Sequence, residues 1–290
     1  MTKKQWTVME VVSWTAQRLQ SCGGVSPRLD AELLLAQALG VTRIQLYLDY
    51  DKPLTAAETA SFKELVRRRV AGESVAHIVG HKEFWKHRLA TPAGVFVPRP
   101  ETEQVVEEAV GHARARGGAR VLDLCTGSGA ILVSVLADVA EMTGVGVDVS
   151  EAAVKAATEN AERVGVAQRC RLVLGDAVAF VAAQRETFDV VTCNPPYVAS
   201  AAWSGLSAAI TRFEPRAAVD GGGDGLDFLR ALLPVMPRVV SPGGLLLIEY
   251  GGAEQTRDLT GLVSAAGFLA VRVLRDLAGI DRVLCAEMPV

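Results

Sequence analysis

"VLDLCTGSGA", residues 121–130, carries an apolar strand pattern into Asp-x-x-Thr-Gly-x-Gly and from there into the start of a helix. Glycines at 127 and 129 let a backbone pass close to a ligand, and the helix start behind them offers unpaired N–H groups. The spacing is not Gly-x-Gly-x-x-Gly. It is not a P-loop either, since the Lys-Ser/Thr pair is missing, so neither a pyrophosphate nor a triphosphate is the natural guest. About one strand–helix unit later comes Asp148 in "VGVDV", where a carboxylate can accept hydrogen bonds from both hydroxyls of a ribose. Gly127, Gly129 and Asp148 in this order point to a nucleoside cofactor without a phosphate chain. The plainer alternative is a tight strand–helix turn, with Asp148 capping the helix that begins near Ser150. Asp176, after "LVLG", is a third acid at the same sheet edge and taken alone reads as a helix cap.

Working outward, the pattern alternates. A helix through "ETEQVVEEAVGHA" precedes strand "RVLDL"; a helix from Ala130, strand "GVGVDV", a helix from Glu151, and strands "RLVLG" and "FDVVTC" follow. Such alternation builds a parallel sheet covered on both faces. Beyond a loop at 198–224 come a helix, "GGLLLIEYG", another helix and two apolar runs, "FLAVRVL" and "RVLCAEM". Upstream, "SVAHIVGHKEFW" and "GVFVPRP" predict short extended runs forming a hairpin-like connector. The first seventy or so residues predict helices. Val8, Val11, Val12 and Leu19 recur at helical spacing; Ser26-Pro27 opens "RLDAELLLAQALG" and Gly40 closes it; Thr55-x-x-Glu58 has the form of a capping box for a helix running to Gly72.

With 290 residues and half of them hydrophobic, the chain can bury a large core, and a net charge of −3 disfavours unspecific attachment to phosphate backbones. The five scattered cysteines, with no Cys-x-x-Cys pair, suit a reducing compartment. Neither a signal peptide nor an apolar run of membrane-spanning length is read, so a cytoplasmic protein is expected.

"DVVTCNPPYV", residues 189–198, sets an amide, two prolines and an aromatic directly after a buried strand. Asn194 should stand at the same sheet edge as the glycine turn. If the substrate is a planar N–H₂ group, the Asn194 amide oxygen and the Pro195 carbonyl can each accept one N–H and turn the nitrogen toward an electrophile. Pro196 restricts Pro195 to an extended conformation, and Tyr197 can pack on the flat face of the group.

"NPPY" with "DLCTGSG" resembles the Rossmann-fold S-adenosylmethionine-dependent N-methyltransferases. Together with "RLDAELLLAQALG", "HIVGHKEFW", "FVPRPETEQVVEEA", "FEPRAAVDGGGDGLDFLR" and "PGGLLLIEYG", nearly the whole chain resembles the peptide chain release factor glutamine methyltransferases. "NPPY" alone is shared with adenine methyltransferases; the helical N-terminal segment, "PRPETE" and "EPRAAVDGG" are far more specific. The resemblance implies an α/β fold: a Rossmann-like class I methyltransferase sheet of seven strands (residues 99–290), a small N-terminal helical bundle for substrate recognition (1–74) and a β-hairpin connector (75–98). It implies methylation, from S-adenosylmethionine, of the side-chain nitrogen of the glutamine in a Gly-Gly-Gln loop of release factors. Cys125, Thr126, Gly127, Ser128 and Gly129 would wrap the methionine part of the cofactor, Asp148 its ribose, and Asp176 with Ala177 its adenine; Asn194, Pro195, Pro196 and Tyr197 would hold the target amide, with Asn194 also beside the cofactor. Two positions depart from the family's pattern: Cys125 stands where glycine is frequent, and Tyr250 where an aliphatic residue is usual.

No metal is expected, since His77, His81 and His87 lack a completing ligand set. Cys125 and Cys193 have no adjacent histidine or basic residue and are read as packing. Arg67-Arg68-Arg69 suits a helix C-terminus or an acidic or RNA partner, and Arg99 with Glu101 suits either a proline-fixed turn or a wall of the site. The expected partner is a release factor, met by a monomer, without membrane or direct nucleic-acid binding. A ribosomal-protein glutamine methyltransferase, a DNA or RNA adenine N6-methyltransferase and a non-catalytic cofactor-binding scaffold on the translation machinery remain as alternatives.

Overall fold

The computed structural model describes residues 5–23, 25–117 and 120–290, so the polar start of the N-terminal stretch, residues 1–4, lies outside the described residues. The chain divides into two compact units, one of Met1–Gly80 with Ser207–Phe213, the other of His81–Leu206 with Glu214–Val290.

The first unit holds helices α1 (Val8–Ser21), α2 (Pro27–Leu39), α3 (Arg43–Leu48), α4 (Ala56–Val70) and α5 (Val75–Val79), and a later short helix, Ala208–Phe213. Reciprocal capping boxes open α1 at Thr7 and Glu10 and α4 at Thr55 and Glu58. Pro27 starts α2 and left-handed Gly40 ends it as expected, but the Ser26 side chain makes no capping hydrogen bond. Val8, Val12, Leu34, Leu35, Leu46 and Phe62 close the core, each contributing roughly 1.5–3 kcal/mol by leaving water. Within that unit Glu32 is buried, and Arg28, Arg43 and the Tyr47 hydroxyl reach it at 3.0, 2.7 and 2.5 Å. The arginine run is mostly committed internally: Arg68 pairs with Glu73 and Arg69 with Asp30, while exposed Arg67 pairs with Glu64. Residues 75–79, expected to be extended, are helical, because Ser74 caps them by accepting from the His77 N–H and Gly80 turns left-handed behind them.

The second unit opens with the antiparallel hairpin β1 (His81–Phe84) and β2 (His87–Ala90), and continues through a 3₁₀ turn, Pro100–Thr102, into α6 (Glu103–Arg116). Then β3 (Arg120–Leu124), α7 (Ala130–Asp138), β4 (Thr143–Asp148), α8 (Glu151–Val164), β5 (Cys170–Leu174), α9 (Ala177–Ala183) and β6 (Phe188–Cys193) alternate. The last strands are β7 (Val240–Glu249), β8 (Leu269–Arg275) and β9 (Asp281–Glu287), with helix Ala253–Ala265 between β7 and β8. These form a seven-stranded sheet in the order β5-β4-β3-β6-β7-β9-β8, parallel from β5 to β7 and antiparallel where β9 meets β7 and β8. Strands with both faces covered need continuous apolar runs, and "RVLDL" and "FDVVTC" supply them. Gly144 lets α7 lie tight on β4, since an added Cβ there would come within 2.5 Å of Leu132 and 2.7 Å of Val121. The loop after β6, expected to lack regular structure, contains 3₁₀ turns at Ser200–Gly205 and Arg216–Ala218 as well as the helix assigned to the first unit.

The chain winds outward from β3 to β5 and then returns to lay β6 on β3's other side. That reversal opens a crevice at the C-terminal ends of β3 and β6, where open α/β sheets take their ligands.

Candidate active site

The glycine turn leaves β3 at the crevice. Cys125 and Gly127 have φ of 57° and 56°, and Gly129 turns left-handed to cap α7. An added Cβ at Gly127 would meet no atom within 4 Å, so the turn faces open space there. At Gly129 it would come within 3.0 Å of Ala157, so this glycine serves helix packing. The turn is held by nearby groups: the Thr126 N–H donates to the Val147 carbonyl at 3.1 Å, and the Gly129 N–H to the Thr126 carbonyl at 2.8 Å. Asp148 accepts from the Gly127 N–H at 2.8 Å through one oxygen and from the Ser150 N–H at 2.9 Å through the other. Burial raises the Asp148 carboxyl above its usual range, opposed by these backbone donors. Each oxygen keeps a further lone pair, so the same carboxylate can brace the turn and accept a diol. The helix cap that rivalled this reading belongs to Ser150, which accepts from the Ala153 N–H. Asp176 does cap α9, accepting from the Ala179 N–H at 2.7 Å, with Ala177 buried beside it.

Beneath the turn lies the aspartate that opens the Asp-x-x-Thr-Gly-x-Gly pattern, a residue whose role the pattern alone left open. Asp123, fully buried on β3, accepts the Thr126 hydroxyl at 2.6 Å and the Thr192 hydroxyl of β6 at 2.7 Å. Burial pushes its carboxyl up to about 6. Asn160 of α8 also went unread. Its amide accepts from the Ala90 N–H at 2.7 Å and donates to the Ser128 carbonyl at 2.9 Å, tying the hairpin to the turn.

Asn194 to Tyr197 leave β6 at the same edge, and their supports come from far along the chain. Asn194 Nδ2 lies 3.4 Å from the Thr102 hydroxyl. The Tyr197 hydroxyl donates to Glu249 at 3.3 Å, and burial raises it above an ordinary phenol. The Tyr197 carbonyl accepts from the Gln255 amide at 2.8 Å. "AVDGGGDG" packs along this backbone: the Gly221 N–H donates to the Val198 carbonyl at 2.8 Å, and an added Cβ would come within 2.6 Å of the Pro196 carbonyl at Gly221 and 2.1 Å of the Tyr197 carbonyl at Gly225. Arg99 of "PRPETE" reaches buried Glu214 of "FEPR" with both oxygens within 2.8 Å, so the two segments are joined as an ion pair.

Burial raises the Cys193 thiol well above its ordinary value, with Cys125 as a further contact, which keeps the sulfur neutral and fits packing rather than nucleophilic chemistry. Tyr250 is fully buried with its hydroxyl 2.9 Å from that of Thr256. A cavity of ≈250 Å³ lined by Arg120, Thr143, Cys170 and Phe188 opens at the strand starts, the sheet edge opposite to these motifs.

Residues 10–80 match the family described as PrmC N-terminal domain, and residues 115–267 match a Methyltransferase domain. A release factor glutamine methyltransferase of Geobacter sulfurreducens is 39% identical over 286 residues, covering 98% of each chain. The chain belongs to the release factor glutamine methyltransferase family. Another member, from Nitratidesulfovibrio vulgaris, is 39% identical over 283 residues, covering 97% of this chain and 95% of its own. A solved methyltransferase from Pyrococcus furiosus shares the fold, with a TM-score of 0.50 and 18% identity over 70% of this chain and 89% of that one. Among the described residues of this family member, no helix is long and apolar enough to cross a membrane.

Proposed function

We propose that this protein methylates the side-chain nitrogen of the glutamine in the Gly-Gly-Gln loop of peptide chain release factors, using S-adenosylmethionine, as a monomer in the cytoplasm. The observation that carries the reading is that an Asn-Pro-Pro-Tyr segment and an open glycine turn with a ribose-competent carboxylate leave adjacent parallel strands at one reversal of the sheet. Gly127 supplies the open face against which the cofactor's methionine part fits, with Cys125, Thr126, Ser128 and Gly129 completing the turn. Asp148 would accept the ribose hydroxyls, and Asp176 with Ala177 would border the adenine.

S-adenosylmethionine, when bound, supplies an electrophilic methyl group. The chain's own work is positioning. Asn194 Oδ1 and the Pro195 carbonyl accept the two N–H bonds of the glutamine amide and aim the nitrogen, while Pro196 fixes the Pro195 carbonyl and the Tyr197 ring covers the amide plane. A carbon–nitrogen bond formed at the expense of the methyl–sulfur bond would leave S-adenosylhomocysteine; the nitrogen grows acidic, these acceptors bind it more strongly and so lower the barrier, and one of its protons is lost to solvent during or after the transfer. Residues 1–74 would dock the body of the release factor, since a glutamine between glycines offers little surface of its own.

Incubating purified release factor with enzyme and S-adenosylmethionine, then mapping the modified peptide by mass spectrometry, tests the reading. One added methyl group on the Gly-Gly-Gln glutamine is expected. Modification of a ribosomal protein or of adenine instead would overturn it.

A further inference from the structure

Glu249 ends β7 one residue past Ile248, which pairs with Cys193, so it stands beside Asn194 at the crevice. It is 1% exposed. Oε1 accepts the Tyr197 hydroxyl at 3.3 Å, whereas Oε2 is buried and has no hydrogen-bond partner among the described residues. A buried carboxyl with an unused oxygen is costly, and nothing in the sheet's packing requires it at this position.

We propose that Glu249 is a positioning residue for the transfer: it fixes the polarity of the Asn194 amide, so that Asn194 presents its oxygen to the substrate. This rests on the reading of Asn194 given above. An asparagine amide has a donor end and an acceptor end of nearly the same shape, and only the oxygen can receive the glutamine N–H. The reversed amide would set N–H against N–H. Which end faces out is decided by what lies behind. Here Nδ2 points toward the Thr102 hydroxyl. A hydroxyl that accepts from Asn194 must send its own hydrogen elsewhere, and the donors of Thr102, Tyr197 and Asn194 all favour the charged form of the neighbouring Glu249 carboxyl, Tyr197 being the one within hydrogen-bond distance of it. A carboxylate only accepts, so donors turn inward to it and the Asn194 oxygen is left facing the crevice.

Protonation would undo this. Burial is the main influence and pushes the Glu249 carboxyl up to about 7; Glu101, on the 3₁₀ turn, adds to the effect through its like charge. Tyr197, the other titratable group in contact, stays protonated, and Arg282 and Arg99 act on it only in part against its burial. Below about 7 Glu249 becomes a donor itself, the inward set of donors loses its acceptor, and the amide can reverse.

The test compares wild-type protein with Glu249→Gln, which keeps the shape and removes the charge. In Glu249→Gln, kcat should fall on the order of 100-fold, with S-adenosylmethionine affinity and the KM for release factor nearly unchanged, and the rise of kcat through pH 7 expected of the wild type should be absent. If Glu249→Gln does not fold, Thr102→Val carries the test: the same loss of kcat is expected, with Thr102→Ser restoring most of it. A folded Glu249→Gln with wild-type kcat and pH profile, or Thr102→Val with wild-type kcat, overturns the proposal while leaving the assigned reaction standing. Wild-type protein that transfers no methyl group to the release factor glutamine overturns both.

Discussion

The glycine turn after β3 and the Asn-Pro-Pro-Tyr segment after β6 sit side by side but are built in opposite ways. The turn is closed within itself and by the next strand–helix unit: Gly129 on Thr126, then Thr126 on Val147 and Gly127 on Asp148 of β4, and Ser128 on Asn160 of α8. The Asn-Pro-Pro-Tyr segment makes few contacts of its own and is held by Thr102, Gly221, Gly225, Glu249 and Gln255. A binding loop that only has to fit a constant cofactor can be specified by the strand–helix unit next to it. A loop that must aim a lone pair needs its polar ends fixed from several directions, since each separate support removes one freedom. Substitutions in the turn should therefore act on cofactor affinity, and those around Asn194 on turnover.

The largest effect should follow Asn194→Ala. Turnover on release factor is expected to drop by roughly 100- to 1,000-fold, with cofactor affinity by calorimetric titration within about threefold of wild type. A parallel loss of affinity would show that the two loops are not separable. Next, Gly225→Ala should destabilise by roughly 2–4 kcal/mol, because its φ is 84° and the new Cβ would run into the Tyr197 carbonyl. Urea unfolding of this variant, set beside Gly127→Ala, whose Cβ meets open space, measures how much more tightly the second loop is packed.

Asp123 joins the glycine turn, through Thr126, to strand β6, through Thr192, and its effect is read through pH. Its folded-state carboxyl lies at about 6, above the 3.8 of an unperturbed aspartate. The native state therefore binds more protons than the unfolded chain between these values, and Asp123 costs stability as pH rises from about 4 to 6. The gap between Asp123→Asn and wild type should shift in the variant's favour by roughly 2–3 kcal/mol on going from pH 4 to pH 7. Denaturant titrations at both ends check this, and an unchanged gap would mean that Asp123 ionises as freely in the folded protein as in water.

Asp148→Ala comes lower, with S-adenosylmethionine affinity reduced by about tenfold or somewhat more and kcat at saturation largely kept. The smallest effect belongs to Cys125→Gly. Left-handed backbone costs a non-glycine residue about 1 kcal/mol, so the variant should be as stable as wild type or slightly more so by thermal melting, with activity within about twofold. A large activity loss there would revive a role for the thiol.

The same contrast explains what was legible in the sequence. β3, β6 and the glycine turn announce themselves because their signals are contiguous: an apolar run, a breaker, a helix start. Asn194 was legible because its neighbours restrict it chemically. Glu249 was not, although a carboxylate ending the apolar run "GGLLLI" at the same sheet edge was a signal; its neighbour Tyr250, which departs from the family's pattern, bonds Thr256 instead. Tyr197, expected to act through the face of its ring, also donates its hydroxyl to that same glutamate. Asn160 hides because its partner Ala90 lies 70 residues away, and Asp123 hides in part, since Thr192 lies 69 residues away although Thr126 stands beside it in the Asp-x-x-Thr pattern. Helices α3 and α9 are too short, six and seven residues, to show a period.

The first compact unit is discontinuous, and this bears on how the chain is made. Gly72, with φ of 101°, leaves just enough room for Ala208, whose Cβ a side chain at 72 would approach to 2.8 Å. During vectorial synthesis the five N-terminal helices leave the ribosome first, yet the last piece of their unit, Ser207–Phe213, emerges only after β6 and the Asn-Pro-Pro-Tyr segment. Closing this unit therefore needs a contact of long sequence separation, and the expected consequence is that the N-terminal helices are completed only after β6 has been synthesised.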